Sequence, residues 1–270
     1  MSISSIASLS PKEIASLSTT DLQSIAPSGF SALLASQVQA LTTAQVAALT
    51  AAQVAALTTT ELRALTALQV GAFTSSQISA LDAGDLAALS TSQLARLSSS
   101  NVAALTTDDL TALTGTQLAA LTPIAIRGLS GDQAAALSTS QLAGLTSWQL
   151  GALSTTQLAS LSGAQISSLT AAGYQGLSPT QLLALTADQV GALAPSQLGV
   201  LTSTQLATLA PTQLTAITTT TISGLAATVI PELTATFLAA LDATQIQAFT
   251  DSQLSAMSAD QLDTLAEALV

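Results

Sequence analysis

Apolar positions recur along this chain in pairs three residues apart, and the pair returns every eight residues. Counted from Ser2, the frame runs through 33 octads to Leu265 without insertion or deletion. With the octad lettered a to h, Thr42-Thr43-Ala44-Gln45-Val46-Ala47-Ala48-Leu49 is a near-ideal example. Position e is always apolar if Tyr174 is admitted, h is almost always Leu, and g is small except chiefly at Arg96, Val200 and Glu232. Position a is Ser, Thr or Asp in 28 octads, and d is Gln, Glu, Asp or Asn in 26.

Ser or Thr followed three residues later by Gln or Glu is the capping box of a helix start, in which each side chain bonds the other residue's backbone N–H. The preceding h and the e residue then fall where a hydrophobic staple needs its two partners. Proline is favoured at the first helical position, where its missing N–H costs nothing. Pro11, Pro27, Pro123, Pro179, Pro195 and Pro211 all occupy b, that first position, and only Pro231, at f, does not.

A single long helix is excluded, because eight residues at about 100° each would rotate the apolar pair by roughly 80° per octad. The pattern predicts an all-α fold: a tight solenoid of short capped helices, one per octad, with e and h facing a shared axis and b, c and f facing outward. Helices this short are unstable alone and need tertiary packing. A β-solenoid is the alternative. It is disfavoured because e and h would point to opposite faces of a strand and because Pro at b would interrupt a ladder.

No composition shift marks a boundary, so a single solenoid is expected over 2–265, with 266–270 as a C-terminal tail. The octads from Ser2 to Leu41, Thr122 to Leu137, Thr170 to Leu177 and Thr218 to Leu241 depart most from the pattern. In the last of these, d becomes Thr221, Val229 and Phe237. Trp148, at c, is expected on the surface. Trp148 and Phe237 are therefore candidate contact residues.

Composition narrows the function. Only 2% of residues are aromatic and 7% charged, with a net charge of −11 and Lys12, Arg63, Arg96 and Arg127 as the sole cations. Nucleic-acid binding needs clustered Lys and Arg, so no nucleic-acid partner is expected. Polar residues interrupt the apolar ones long before the ~20 consecutive apolar residues of a membrane span, so no membrane insertion is expected either. Met1 to Ile6 lacks the basic and apolar regions of a cleavable signal peptide.

No chemistry of catalysis emerges. There is no His and no Cys, no glycine motif for phosphate and no base beside any hydroxyl. Asp108 and Asp109 are adjacent, but Asp109 at d is accounted for by capping. No enzyme activity, cofactor or metal site is expected.

Two resemblances follow from these residues. Leu185-Thr186-Ala187-Asp188-Gln189-Val190 resembles the helix openings of transcription activator-like effector repeats, in the cap and not in the basic residues that follow DNA. The whole chain resembles Leu-Ser/Thr-x-x-Gln-Leu-x-x-Leu octapeptide arrays of bacterial secreted and surface proteins. That likeness implies a secreted or cell-surface setting. The tail Ala266-Glu267-Ala268-Leu269-Val270 is similar to type I secretion signals, which implies type I export.

Solenoids bury each repeat against its neighbours and ordinarily need polar end caps. No such cap is legible here, so both ends are expected to expose apolar side chains. Head-to-tail contact of this kind propagates into fibres unless it closes. The leading expectation is a structural protein whose partner is itself, assembling through Ile6, Leu9, Leu262 and Leu265. The alternatives are a monomeric binding module, an adhesin or secreted effector, and, less favoured, ice binding through surface Thr.

Overall fold

The computed structural model describes residues 6–269, and all of its regular secondary structure is helical. Most octads fold into a helix of four to six residues opened by the expected cap, as in Thr43–Ala48 after Thr42 and Ala51–Ala55 after Thr50. The six b prolines each open their helix. Between helices the chain turns through two extended residues. Leu49 has φ −59° and ψ 144°, and Thr50 has φ −69° and ψ 156°. The Leu49 N–H donates to the Val46 carbonyl at 3.2 Å, tightening the last turn before the break. Among the described residues no φ is positive. The coil therefore bends at every octad without a left-handed residue, and glycine is free for other positions.

Whether an octad is α or 3-10 follows from its cap. Leu34, Ala194 and Ala210 cannot accept a hydrogen bond, yet the Gln three residues on still receives each one's backbone N–H, at 2.7, 2.8 and 2.7 Å, and the helix is α. Thr122, Thr170 and Thr234 cap alone, and those helices are α as well. Ala26 with Gly29 and Ala226 with Val229 lack both halves of the box. Those two octads form the 3-10 segments Pro27–Ala32 and Ala227–Glu232; Ile6–Ser8 is also 3-10, and the cap positions of its octad lie outside the described residues. One half of the box is enough to hold an α turn.

The described chain forms two compact units, Met1–Leu137 and Ser138–Val270, parting at an octad boundary. Within the first, Ala67–Gly71 packs on Thr91–Leu94 and Ala83–Ala88 on Thr107–Ala112. Within the second, Gly163–Ser168 packs on Ala187–Gly191, and Ala235–Ala239 on Ala259–Ala268. Each of these partners lies three octads away. Polar bonds described below reach into the fourth octad, so one turn of either coil takes between three and four. Each helix thus lies across the joint between two helices of the adjacent turn, as bricks lie in staggered courses.

The core is built from e and h, as the periodicity requires, with almost every e residue fully buried. Position d is buried too in most octads, more deeply than capping alone requires. Small residues let turns approach. A methyl group at Gly151 would stand 2.5 Å from the Gly176 carbonyl oxygen, and one at Gly176 would overlap the Ser147 backbone. No helix among the described residues is long and apolar enough to cross a membrane.

Candidate functional site

A capping box uses only the carbonyl end of a glutamine. The amide nitrogen keeps two N–H donors, and a buried donor left unpaired costs about 1–3 kcal/mol. The opposite end of each short helix has the complementary problem, because its last carbonyls have no partner within the helix. In this fold one solves the other. Gln53 receives the Thr50 N–H on Oε1 at 2.9 Å and donates its own backbone N–H to Thr50 Oγ1 at 3.2 Å. Its Nε2 donates to the carbonyls of Leu22 and Ile25, both at 2.8 Å, which are e and h of the octad four earlier. The side chain is 1% exposed.

The same clamp recurs within each unit. Gln77 holds Val46 and Leu49, and Gln93 holds Leu62 and Leu65. Gln189 holds Leu158 and Leu161, Gln213 holds Leu182 and Leu185, and Gln261 holds Ile230 and Leu233. One residue type caps its own helix and fastens it to the turn before. The capping reading of the d position was therefore half of its role.

Departures from Gln form a graded series. Asn101 is one methylene shorter and reaches only the nearer carbonyl, of Phe73, at 2.9 Å. Thr221 likewise reaches only Leu193, at 2.8 Å, through its hydroxyl. Ala125, Gly173, Val229 and Phe237 have no side-chain donor at all. Glu13, Asp21, Glu61, Asp85 and Asp109 keep an acceptor for the cap but, when ionised, offer nothing to the preceding turn. Glu61 and Asp109 are buried and receive the N–H of Thr58 and Thr106 at 2.6 and 2.7 Å. Burial pushes the Asp85 carboxyl up, against a lowering backbone hydrogen bond from Asp82, whose charge adds to the rise. Asp108 is exposed, so it and Asp109 do not form an acid pair facing one ligand.

A second polar seam runs the other way from f and b. Gln23 Nε2 donates to Ala48 O at 2.7 Å, Arg63 Nε to Ala88 O at 3.2 Å and Ser75 Oγ to Ser100 O at 3.1 Å, each 25 residues ahead. Tyr174 is fully buried in the core, and its hydroxyl donates to Ile166 O at 3.0 Å. Burial raises that phenol far above its ordinary range.

Exposure along the two apolar columns is directional. In the first turn the e residues Ile6, Ile14 and Leu22 are buried, while the h residues Leu9 and Leu17 are only half-buried. In the last turn the h residues Met257 and Leu265 are buried, while Leu254 is half-buried and Leu262 is 41% exposed. Side chains at e are thus covered by the following turn, and those at h by the preceding one. This corrects the expected assembly set. Ile6 and Leu265 are spent on the chain's own core, and Leu9 and Leu262 remain accessible. Phe237 is fully buried and belongs to the core, having replaced a clamp with a ring, so it is no contact residue. Trp148 is 80% exposed, as its c position implies. Among the described residues no group of three or more Asp and Glu gathers in metal-binding geometry.

The chain matches the family model of the ALTTAQ repeat over residues 25–59, 78–115 and 116–147. It is a repeat protein by that similarity as well as by its own fold. No curated protein matches it.

Proposed function

We propose that the chain is a structural repeat protein, extracellular or cell-surface, that assembles end to end into filaments. The observation that carries this reading is the complementarity of its first and last turns. Leu254 and Leu262 project where a following turn would cover them, and Leu9 and Leu17 project where a preceding turn would. Joining one copy's last turn to another's first repeats the packing that stacks turns within each unit. Such a contact joins different surfaces and propagates. The resemblance to secreted and surface octapeptide arrays supports the location, and export of the type I kind is part of the same reading. The outer face is mostly Ser, Thr and Ala, interrupted by exposed Leu34, Leu68, Ile124 and Leu183.

The test is electron microscopy and sedimentation of the purified chain across concentration and pH. Thin fibres of constant diameter are expected, and Leu262→Asp or Leu9→Asp should abolish them while leaving the circular dichroism spectrum intact. Discrete particles under every condition would overturn the reading. One observation favours a second reading, a monomeric binding module: Trp148, the largest side chain of the protein, is 80% exposed. That module would stay monomeric and lose its ligand on Trp148→Ala.

A further inference from the structure

We propose that the first unit carries a basic, apolar side that docks the acidic side of a second copy, so that chains pair flank to flank. A clamp amide reaches the h carbonyl 28 residues back, as from Gln93 to Leu65 and from Gln133 to Leu105. Residues at that spacing therefore stand in line on successive turns, and residues half of it apart stand on opposite sides. Charge sorts by this half-turn. Segments 64–75, 90–101 and 118–129 hold two Arg and no Asp or Glu. The segments that alternate with them, 76–87, 103–114 and 130–137, hold five Asp and no Lys or Arg.

On the first side Leu68, Arg96 and Ile124 follow one another at that spacing and form a column, with Arg127 about one helical turn beyond Ile124. Leu68 and Ile124 are 63% and 69% exposed, and both arginines are exposed as well. A methyl group at Gly71 would stand 3.0 Å from Arg96 Cβ, so Arg96 rises over the helix Ala67–Gly71 that carries Leu68. On the opposite side Asp82, Asp108 and Asp132 are exposed. They belong to helices Ala83–Ala88, which Asp82 caps, Thr107–Ala112 and Gly131–Ala136, and these pack on one another in series. Exposed Ala87 and Ala112 stand among them. Arg63, the other cation of this stretch, is turned to the Ala88 carbonyl and belongs to neither ridge.

The two ridges are opposite in charge, and both advance one step per turn of the same coil, so they also agree in pitch. A second copy is the occupant that this agreement selects, because both halves of it are built into one chain. Two copies lying side by side in the same direction bring Arg96 and Arg127 against successive aspartates of the neighbour. The planar guanidinium fork suits a carboxylate, while Leu68 and Ile124 close over alanines as apolar anchors inside a charged rim. The net charge of −11 repels at a distance, but salt near physiological strength confines that repulsion to about 8 Å. The contact joins different surfaces, so it repeats sideways into rafts. It uses no residue of the first or last turn and holds whether or not copies also join end to end.

The experiment is sedimentation velocity of the full chain across concentration, with every protein carrying Leu262→Asp to remove the end-to-end contact. This parent should self-associate, at least about tenfold more weakly at about 500 mM salt than at about 50 mM. Arg96→Glu with Arg127→Glu, and separately Asp108→Arg with Asp132→Arg, should each weaken association at least about tenfold at the lower salt. All four positions are exposed, so circular dichroism should not change. An equimolar mixture of the two variants should associate again, since each brings one natural ridge to the other. Leu68→Gln should weaken the parent while leaving its salt dependence in place. A parent that stays monomeric throughout would overturn the proposal, as would charge reversals without effect or a mixture no stronger than its components. Binding of polyglutamate to the arginine ridge without self-association would give that ridge to another acidic partner and overturn the second copy. Each of these failures leaves the fibres of the chain without Leu262→Asp untouched, and absence of those fibres leaves this contact untouched.

Discussion

The stretch from Gln181 to Gln213 and the stretch from Glu61 to Asp109 follow one octad pattern and bury the same apolar columns, yet they are fastened differently. In the first, five consecutive d residues are Gln, and Gln181, Gln189 and Gln213 each hold both the e and h carbonyls of the turn before. In the second, Glu61, Asp85 and Asp109 stand at every third octad. They fall on helices Thr59–Ala64, Ala83–Ala88 and Thr107–Ala112, which pack on one another in series. Their caps are intact and their clamps are missing. Helix formation and turn stacking therefore depend on opposite ends of the same side chain, and a carboxylate separates the two. Arg63 compensates locally, reaching from f to the Ala88 carbonyl.

The largest effect should come from importing the acid into the amide run. Gln189→Glu keeps the box with Thr186, loses two inter-turn bonds and places a charge in a site 2% exposed. A loss of about 3–5 kcal/mol is expected at neutral pH, as for other uncompensated buried charges. Most of it should be recovered in acid, and urea melts at two pH values would check this. An equal loss at both would mean that the packing, and not the missing donor, was disturbed.

Next in size is the reverse exchange at Asp85. Its carboxyl is raised by burial, so the folded state binds the proton more readily than the unfolded chain does. Its unfavourable effect is absent below the ordinary Asp value and grows as pH rises through the raised one. Asp85→Gln should remove that part of the pH dependence and raise the melting temperature above, but not below, the window. A variant that shifts melting equally at all pH values would show that ionisation at Asp85 is irrelevant.

The smallest is Asn101→Gln, which lengthens an existing clamp so that it can also reach the Val70 carbonyl. One added hydrogen bond is worth about 0.5–1.5 kcal/mol, visible as a small rise in the denaturant midpoint.

The helical class, the frame, the cap positions and the b prolines were all legible in the sequence, because each follows from chemistry within eight residues. The clamp was not read, although a signal for it was present. A capping box accepts Glu as readily as Gln, yet Glu fills d only at positions 13 and 61, against 20 Gln. That imbalance marks a need for a donor. A second signal was that the series of Gln begins only at Gln37, after the first four octads. The length of a turn was beyond reach. It depends on a few degrees of φ and ψ at the two extended residues of each joint, such as Leu49 and Thr50, and on which neighbours they bring together. The burial of Ile6 and Leu265 was hidden for the same reason, since it depends on which turn covers e and which covers h.

The clamp amides described above point backward, from Gln37 to Leu9 near one end and from Gln261 to Leu233 near the other. For a chain that emerges amino-terminus first, each acceptor is already outside when its donor appears 28 residues later. At roughly 5–20 residues per second of synthesis, a new octad arrives about once a second. Closing loops of this kind takes far less than a millisecond. Through these backward bonds the fold can be fastened stitch by stitch at the pace of delivery, while the forward seam of Gln23, Arg63 and Ser75 closes only when a segment 25 residues on has arrived.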